Sequence, residues 1–338
     1  MLVANRGEIA LRIIRACHEL GVEAVAVHSD ADTAAPFVRA ADLAVRIGPP
    51  PVAESYLRSD LIVAAAKSTR SEAVHPGYGF LSERAEFAEA CESAGLVFVG
   101  PRPATLAGLG DKLAARRSAV KVGVPILPGT FDPVRVEDGG ADALFRQADQ
   151  VGWPLLVKAA AGGGGRGMRI VPDPAALPAA LVAASEEARA SFGDGAVYLE
   201  RLVVGGRHVE VQLLGDATGD VVAVGERDCS IQRRHQKLVE EAPAPGLSPE
   251  QRRRLHSLGV RVAEAVGLRN AATAEFLLTA EGDFAFLEVN ARLQVEHGVT
   301  ELVADVDLVH EQLRIAAGEP LSPRVRAAAD RAADPGRH

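Results

Sequence analysis

Apolar and polar positions in the first hundred residues switch repeatedly between two rhythms. Leu2–Ala4 is a short apolar run, after which Ile9, Ile13, Ile14 and Cys17 recur at helical spacing over about Gly7–Leu20. A second strand-like run follows at Glu23–His28, and the pattern returns at Ala73–His75 and Leu96–Val99. Such strand–helix alternation predicts a parallel, doubly wound α/β sheet, a Rossmann-like domain over residues 1–109. From about Gly110 the texture changes. A helix is expected over Asp111–Val122, followed by Pro125 and Pro128 and then a smaller α/β segment. That segment reads as strands Pro154–Lys158, Met168–Val171 and Ala196–Leu199, with an alanine-rich helix over about Pro174–Ala190. Further strands are expected at His208–Leu214, Val221–Arg227 and Ala285–Val289, with a helix over about Pro249–Val266. The second unit therefore spans 110–322, with a small lid subdomain at about 129–202. Arg324–His338 lacks apolar periodicity, so 323–338 is expected to be a disordered tail.

Composition narrows the class. At 338 residues the chain is long enough for two or three domains, and 48% hydrophobic with 24% charged residues suits a soluble globular protein. Cys17, Cys91 and Cys229 lie far apart in no metal-ligand spacing, the pattern of buried thiols in a reducing cytosol. No apolar run approaches the ~20 residues of a membrane helix, and the charged N-terminus is no signal peptide, so a cytoplasmic location is expected. A net charge of −8 disfavours nucleic acid as the main partner. Only five of the 37 basic residues are lysines (Lys67, Lys112, Lys121, Lys158 and Lys237), and asparagine occurs only at 5, 270 and 290. Where arginine is the default cation, a retained lysine suggests a position that needs a compact point charge.

Several segments carry chemistry. Lys158 ends a strand and is followed, after three alanines, by Gly162-Gly163-Gly164-Gly165-Arg166-Gly167. Five glycines in six positions let backbone N–H groups close on an anion. The Gly-Lys-Ser/Thr ending of a Walker A loop is absent, which points to a different nucleotide fold. Lys112, at a helix start, is a second candidate phosphate contact. The turn Asn5-Arg6-Gly7 sits between strand and helix but lacks the Gly-x-Gly-x-x-Gly spacing, and a plain helix cap explains it equally well. In Glu288-Val-Asn-Ala-Arg-Leu-Gln-Val-Glu296 the polar residues recur at period two, placing all five on one face of an extended strand. Eight steps at ~3.3 Å span roughly 26 Å, too long for one small site, so the segment should split or bend. Glu288 and Asn290, with Glu275, offer the hard oxygen ligands that Mg²⁺ prefers. Arg292 can fork onto a planar oxyanion, and Glu296 is placed as a general base if its neighbours tune it. The strip Gln232–Lys237 alternates with Gln232, Arg234 and Gln236 on one side and Arg233, His235 and Lys237 on the other, a phosphate-binding or solvent-facing cationic run. His208 in His-Val-Glu-Val-Gln212 is either structural or a nucleotide contact.

Together these runs resemble the biotin carboxylase family, the ATP-grasp component of acetyl-CoA, propionyl-CoA and pyruvate carboxylases. The matching runs are Ala4–Ala10, His75–Glu83, Gly110–Lys112, Gly162–Met168, Glu226–Ser230, Arg233–Lys237, Glu240–Pro245 and Arg292–His297, within a resemblance over about residues 1–320. The resemblance implies ATP contacts at Lys112, Lys158, Gly163, Gly164, Gly165, Arg166, Gly167, Met168, Glu200, Leu202, His208, Gln232 and His235, with Glu275 and Glu288 at the phosphate end. It implies Mg²⁺ or Mn²⁺ at Glu275, Glu288 and Asn290. Lys237, Arg292, Gln294 and Val295 would line a bicarbonate pocket, with Lys237, Arg292 and Glu296 catalytic and Glu296 the base. Biotin would be the carrier-bound substrate, with a biotin carboxyl carrier protein, a carboxyltransferase subunit and a homodimer as partners, in acetyl-CoA carboxylase and fatty acid biosynthesis. Two departures stand out. Asn290-Ala291-Arg292 and Glu296-His297-Gly298-Val299 replace the family's Asn-Thr/Pro-Arg and Glu-His-Pro-Val. The family also continues for about a hundred residues as a cap, expected to be missing here, and no Met-Lys-Met biotin-attachment motif occurs. A carbamoyl-phosphate synthase-like ligase and an ATP-binding module without biotin carboxylation are the other readings.

Overall fold

The computed structural model describes residues 1–136, 141–160, 168–234 and 236–333. The N-terminal alternation forms five parallel strands, β1 (Leu2–Val3), β2 (Val25–Ser29), β3 (Leu43–Gly48), β4 (Ala73–His75) and β5 (Val97–Phe98), in the order β3-β2-β1-β4-β5. The order reverses between β1 and β4, as in doubly wound sheets. Helices α1 (Gly7–Glu19), α2 (Pro36–Ala40), α3 (Ser59–Ser68), α4 (Ala85–Ser93) and α5 (Pro103–Gly110) accompany it. Helix α1 buries Ile9, Ile13, Ile14 and Cys17, the stripe its spacing marks. Helix α6 (Lys112–Lys121) starts at Asp111, whose carboxylate accepts from the N–H groups of Leu113 and Ala114 and so fixes Lys112 in the first turn.

The lid is a three-stranded antiparallel sheet of β6 (Leu155–Ala159), β7 (Arg169–Val171) and β8 (Val197–Arg201), ordered β7-β6-β8. Helices α7 (Ala141–Val151) and α8 (Leu177–Phe192) pack on it around Leu144, Val157, Leu181 and Leu199. The main sheet is antiparallel: β9 (Arg207–Gly215), β10 (Val221–Arg233), β11 (Gln236–Glu241), β12 (Asn270–Leu278) and β13 (Phe284–Asn290), ordered β11-β10-β9-β12-β13. Phe276 and Phe286 meet edge-on at 5.8 Å and pin β12 to β13, a contact that adds about 1 kcal/mol beyond area burial. Helix α9 (Pro249–Ala265), opened by a Ser248/Gln251 capping box, covers this sheet. Helices α10 (His297–Ala304), α11 (Leu308–Ala316) and α12 (Pro323–Ala333) follow.

Two expectations change and one is met. The expected disordered tail is helical over Pro323–Ala333, because Val325 and Ala328, one turn apart, are buried in the core shared with α1 and α11. The period-two strip bends, as its length required: β13 ends at Asn290, and Ala291–Glu296 is a turn leading into α10. The Gln232–Lys237 strip is a hairpin rather than one strand, turning at Arg234 (φ 52°) so that Gln232 pairs with Lys237 across it. All three cysteines are free and buried, and no helix among the described residues is long and apolar enough to cross a membrane.

Candidate active site

A cleft of about 940 Å³ opens between the lid and main sheets. It gathers Lys112 from α6, Lys158, Met168, Glu200 and Leu202 from the lid, and His208, Gln232, Lys237, Glu275, Glu288 and Asn290 from the main sheet. The turn after β13 adds Arg292, Gln294, Val295 and Glu296. Gly163, Gly164, Gly165, Arg166, Gly167 and His235 lie outside the described residues. Leu156, Ile170, Tyr198, Leu277 and Leu287 give one end of the cleft an apolar lining that the sequence had not singled out.

Strand register explains the electrostatics. Glu288 lies opposite Glu275, Glu275 opposite Glu210, and Glu210 opposite Arg227, one cross-strand row over β13, β12, β9 and β10. Like charges directly opposite destabilise a sheet, so three neighbouring carboxylates need cations among them. Arg227, with a fully buried side chain, is one. Its Nε donates to Glu210 Oε1 at 2.6 Å, and its Nη atoms donate to Gln212 at 2.9 Å, Thr300 at 2.7 Å and Thr273 at 3.3 Å. Lys237 is the second. Its ammonium lies against Glu210 Oε2, 2.5 Å from Glu296, 3.1 Å from Glu275 and 3.0 Å from Gln294 Oε1. Burial opposes the Lys237 charge, but Glu275, Glu210 and Glu296 outweigh it and raise its pKa. Burial likewise opposes the Glu296 carboxylate, and Lys237 and Arg227 overcome it and lower its pKa. Glu275 is also lowered, His208 and Lys237 outweighing burial; His208, 3.1 Å from Glu275, is raised by that carboxylate against its own burial.

At the lid end Glu200 divides its carboxylate between the Arg116 guanidinium of α6 and Lys158 at 2.9 Å. Burial opposes the Lys158 charge, and Glu200 overrides it to raise the pKa. Lys112 stands 3.6 Å from Glu288. Glu275, Glu288 and Asn290 supply carboxylate and amide oxygens side by side, with Asn290 Nδ2 donating to Glu275 at 2.9 Å, a donor set that suits Mg²⁺. Arg292 Nε donates to Glu83 at 2.9 Å, and its Nη2 to Asn290 Oδ1 at 3.1 Å. The Asn5-Arg6-Gly7 turn holds the protein's own groups: Asn5 Nδ2 donates to Pro76 O and Tyr78 O, and Arg6 forks onto Asp32. Glu210, Arg227, Arg116 and Glu83 were missed as site residues. Glu210 was visible only as part of a half-polar strand, and nothing distinguishes Arg116 or Arg227 among so many arginines.

Residues 1–106 match the family model for the biotin carboxylase N-terminal domain, and residues 111–324 that for the carbamoyl-phosphate synthase L chain ATP-binding domain. A biotin carboxylase from Allochromatium vinosum is 49% identical over 324 residues, 96% of this chain and 71% of that protein. The chain belongs to the biotin carboxylase family. The solved biotin carboxylase–β-γ-ATP complex from Campylobacter jejuni superimposes with a TM-score of 0.92 at 44% identity, covering 96% of this chain and 72% of that one. The biotin carboxylase domain of Hydrogenobacter thermophilus 2-oxoglutarate carboxylase, a dimer solved with MgADP, ADP and bicarbonate, gives 0.90 at 46% identity, covering 95% and 70%.

Proposed function

We propose that this chain carboxylates biotin with bicarbonate at the expense of ATP, using the lid–sheet cleft as its active site. One observation carries the reading: a single cleft places the Lys237–Glu296 pair, Arg292 and Gln294 beside the Glu275–Glu288–Asn290 oxygen cluster and the Lys112 and Lys158 ammoniums. Lys112, Lys158, Gly163, Gly164, Gly165, Arg166 and Gly167 would hold the phosphates; Met168, Glu200, Leu202, His208, Gln232 and His235 would complete the nucleotide site. Glu275, Glu288 and Asn290 would hold Mg²⁺ or Mn²⁺, which when bound neutralises phosphate charge. Bicarbonate would lie against Lys237, Arg292, Gln294 and Val295.

Glu296 takes the proton of bicarbonate, and the resulting dianion attacks the γ-phosphorus, breaking its bond to the β–γ bridging oxygen and releasing ADP. In the ligand-free site Lys237 holds Glu296 ionised; an oxyanion that draws the Lys237 ammonium to itself raises the proton affinity of Glu296 at the moment it is needed. Carboxyphosphate then separates into CO₂ and phosphate, phosphate takes the ureido N–H proton of biotin, and the biotin nitrogen captures CO₂. Positioning and charge neutralisation supply the rate. A biotin carboxyl carrier, a carboxyltransferase and a second copy of the chain are the expected partners. Three reduced, buried thiols support a cytoplasmic setting.

The test is ATP hydrolysis with bicarbonate and free biotin each present or omitted. Turnover requiring bicarbonate, increased by biotin and abolished by a chelator until Mg²⁺ or Mn²⁺ is restored is the expected result. Turnover with bicarbonate that ignores biotin would leave an ATP-activating module alone, and turnover indifferent to bicarbonate sinks the reading.

A further inference from the structure

We infer that Glu83, from the N-terminal parallel-sheet domain, is a positioning residue for the bicarbonate site, acting through Arg292; the inference rests on the proposed role of that pocket. Glu83 stands at the end of the long turn after β4, more than two hundred residues from the segment it touches. Its Oε1 accepts the Ala291 N–H at 3.2 Å, and its Oε2 accepts Arg292 Nε–H at 2.9 Å. One carboxylate thus holds both the backbone where β13 breaks off and the side chain that follows.

A guanidinium carries five N–H groups. Besides Nε, one Nη1 hydrogen goes to Leu293 O at 3.2 Å and one Nη2 hydrogen to Asn290 Oδ1 at 3.1 Å. One N–H remains on each terminal nitrogen of a side chain that lines the cleft, a pair matched to two oxygens of a planar oxyanion. Arg292 has several rotatable bonds, and without Glu83 its Nε–H has no acceptor, which leaves the fork to the Leu293 and Asn290 contacts alone.

The turn bearing Glu83 is itself anchored. Asn5 Nδ2 donates to Pro76 O at 2.7 Å and Tyr78 O at 2.8 Å, and the Gly77 N–H donates to His75 Nδ1 at 3.0 Å. Gly77 has φ +64°, and a Cβ there would lie 2.8 Å from Asn5 Nδ2, so only glycine lets the turn sit this close. Phe80 stacks on Tyr56 at 5.2 Å, and Leu81 is buried in the core. These contacts hold the turn where Glu83 reaches the Ala291–Arg292 segment.

Glu83 is 42% exposed, so water screens the ion pair and its contribution is orientation more than stability. Glu83→Gln keeps the shape but turns a donor toward either the Ala291 N–H or Arg292 Nε–H. The expected result in bicarbonate-dependent ATP turnover is a rise of about tenfold in the KM for bicarbonate, with the KM for ATP and the urea midpoint unchanged. In an Arg292→Gln background the same substitution should add less than about a twofold rise, because only its hold on the Ala291 N–H is then left to lose. An unchanged bicarbonate KM, or an equal rise in both KM values, overturns the inference while leaving the functional reading intact. A parent chain whose turnover ignores bicarbonate overturns both.

Discussion

Replacing His75 with glutamine should abolish a loss of stability of about 2 kcal/mol that the parent suffers between about pH 8 and pH 5. His75 is fully buried and its Nδ1 accepts the Gly77 N–H, so the ring proton sits on Nε2. Protonating Nδ1 would place a charge in the core and two donors face to face. Burial, above all, pushes the pKa down from 6.5 to about 3, with the charges of Arg12 and His297 adding to it and Gln312 opposing. The sign follows directly. Below pH 6.5 the unfolded chain takes up a proton that the folded chain refuses, so the stability is present above 6.5 and drains away as pH falls toward 3. The 1.5 units between 6.5 and 5, at about 1.36 kcal/mol each, give the 2 kcal/mol. His208, whose pKa is raised, has the opposite sense: its contribution is complete below 6.5 and is lost as pH rises through its folded value. It is present in both proteins and cancels in the comparison. The depressed carboxylates Glu275, Glu296 and Asp32 contribute stability above their unfolded values of 4.5 and 3.8, lost at still lower pH, below the chosen window. Urea titrations followed by circular dichroism at half-unit steps give the difference in unfolding free energy. A parent-minus-variant difference that stays flat from pH 8 to pH 5 refutes the reasoning.

Arg227→Met should lower the free energy of unfolding by about 3–5 kcal/mol in the same titration, because it leaves Glu210, Gln212, Thr273 and Thr300 without their shared buried donor. A loss below about 1 kcal/mol would show that the sheet row reorganises around Lys237 alone. Glu296→Gln should cut bicarbonate-dependent turnover by about 10²–10⁴-fold while nucleotide binding, measured by calorimetry, stays within about twofold; equal losses in both contradict a base role.

Sequence rhythm made the first sheet legible because parallel strands buried on both faces read as apolar runs, Val25–Ser29 being buried throughout. The same logic failed at β11: Gln-Lys-Leu-Val-Glu-Glu is an edge strand with little buried on either face, so no alternation marks it. Residues 288–296 announced their chemistry, and their length required a bend, but the alternation did not mark Ala291 as its place. In the turn, Leu293 is fully buried while Val295 is 64% exposed, and one extended strand could not achieve both. Every candidate site residue among those described lines one cleft; scarcity marked Lys112, Lys158, Lys237 and Asn290 among them, while Lys67, Lys121, Asn5 and Asn270 are not part of its lining. The partners that hold those residues stayed hidden. Glu210 meets Glu275 across 65 positions of chain, and pairing at that range is fixed by strand register, which a local pattern does not encode.

Helix α6 has a mechanical meaning. Lys112 in its first turn touches Glu288 of the main sheet, and Arg116, one turn on, grips Glu200 of the lid. Two sheets that border one cleft are thus leashed to successive turns of one rod. Any outward displacement of the lid sheet would either part Glu200 from Arg116 or drag the rod and pull Lys112 off Glu288. In the second case the helix would work as a lever, coupling the position of the lid sheet to the Lys112–Glu288 pair.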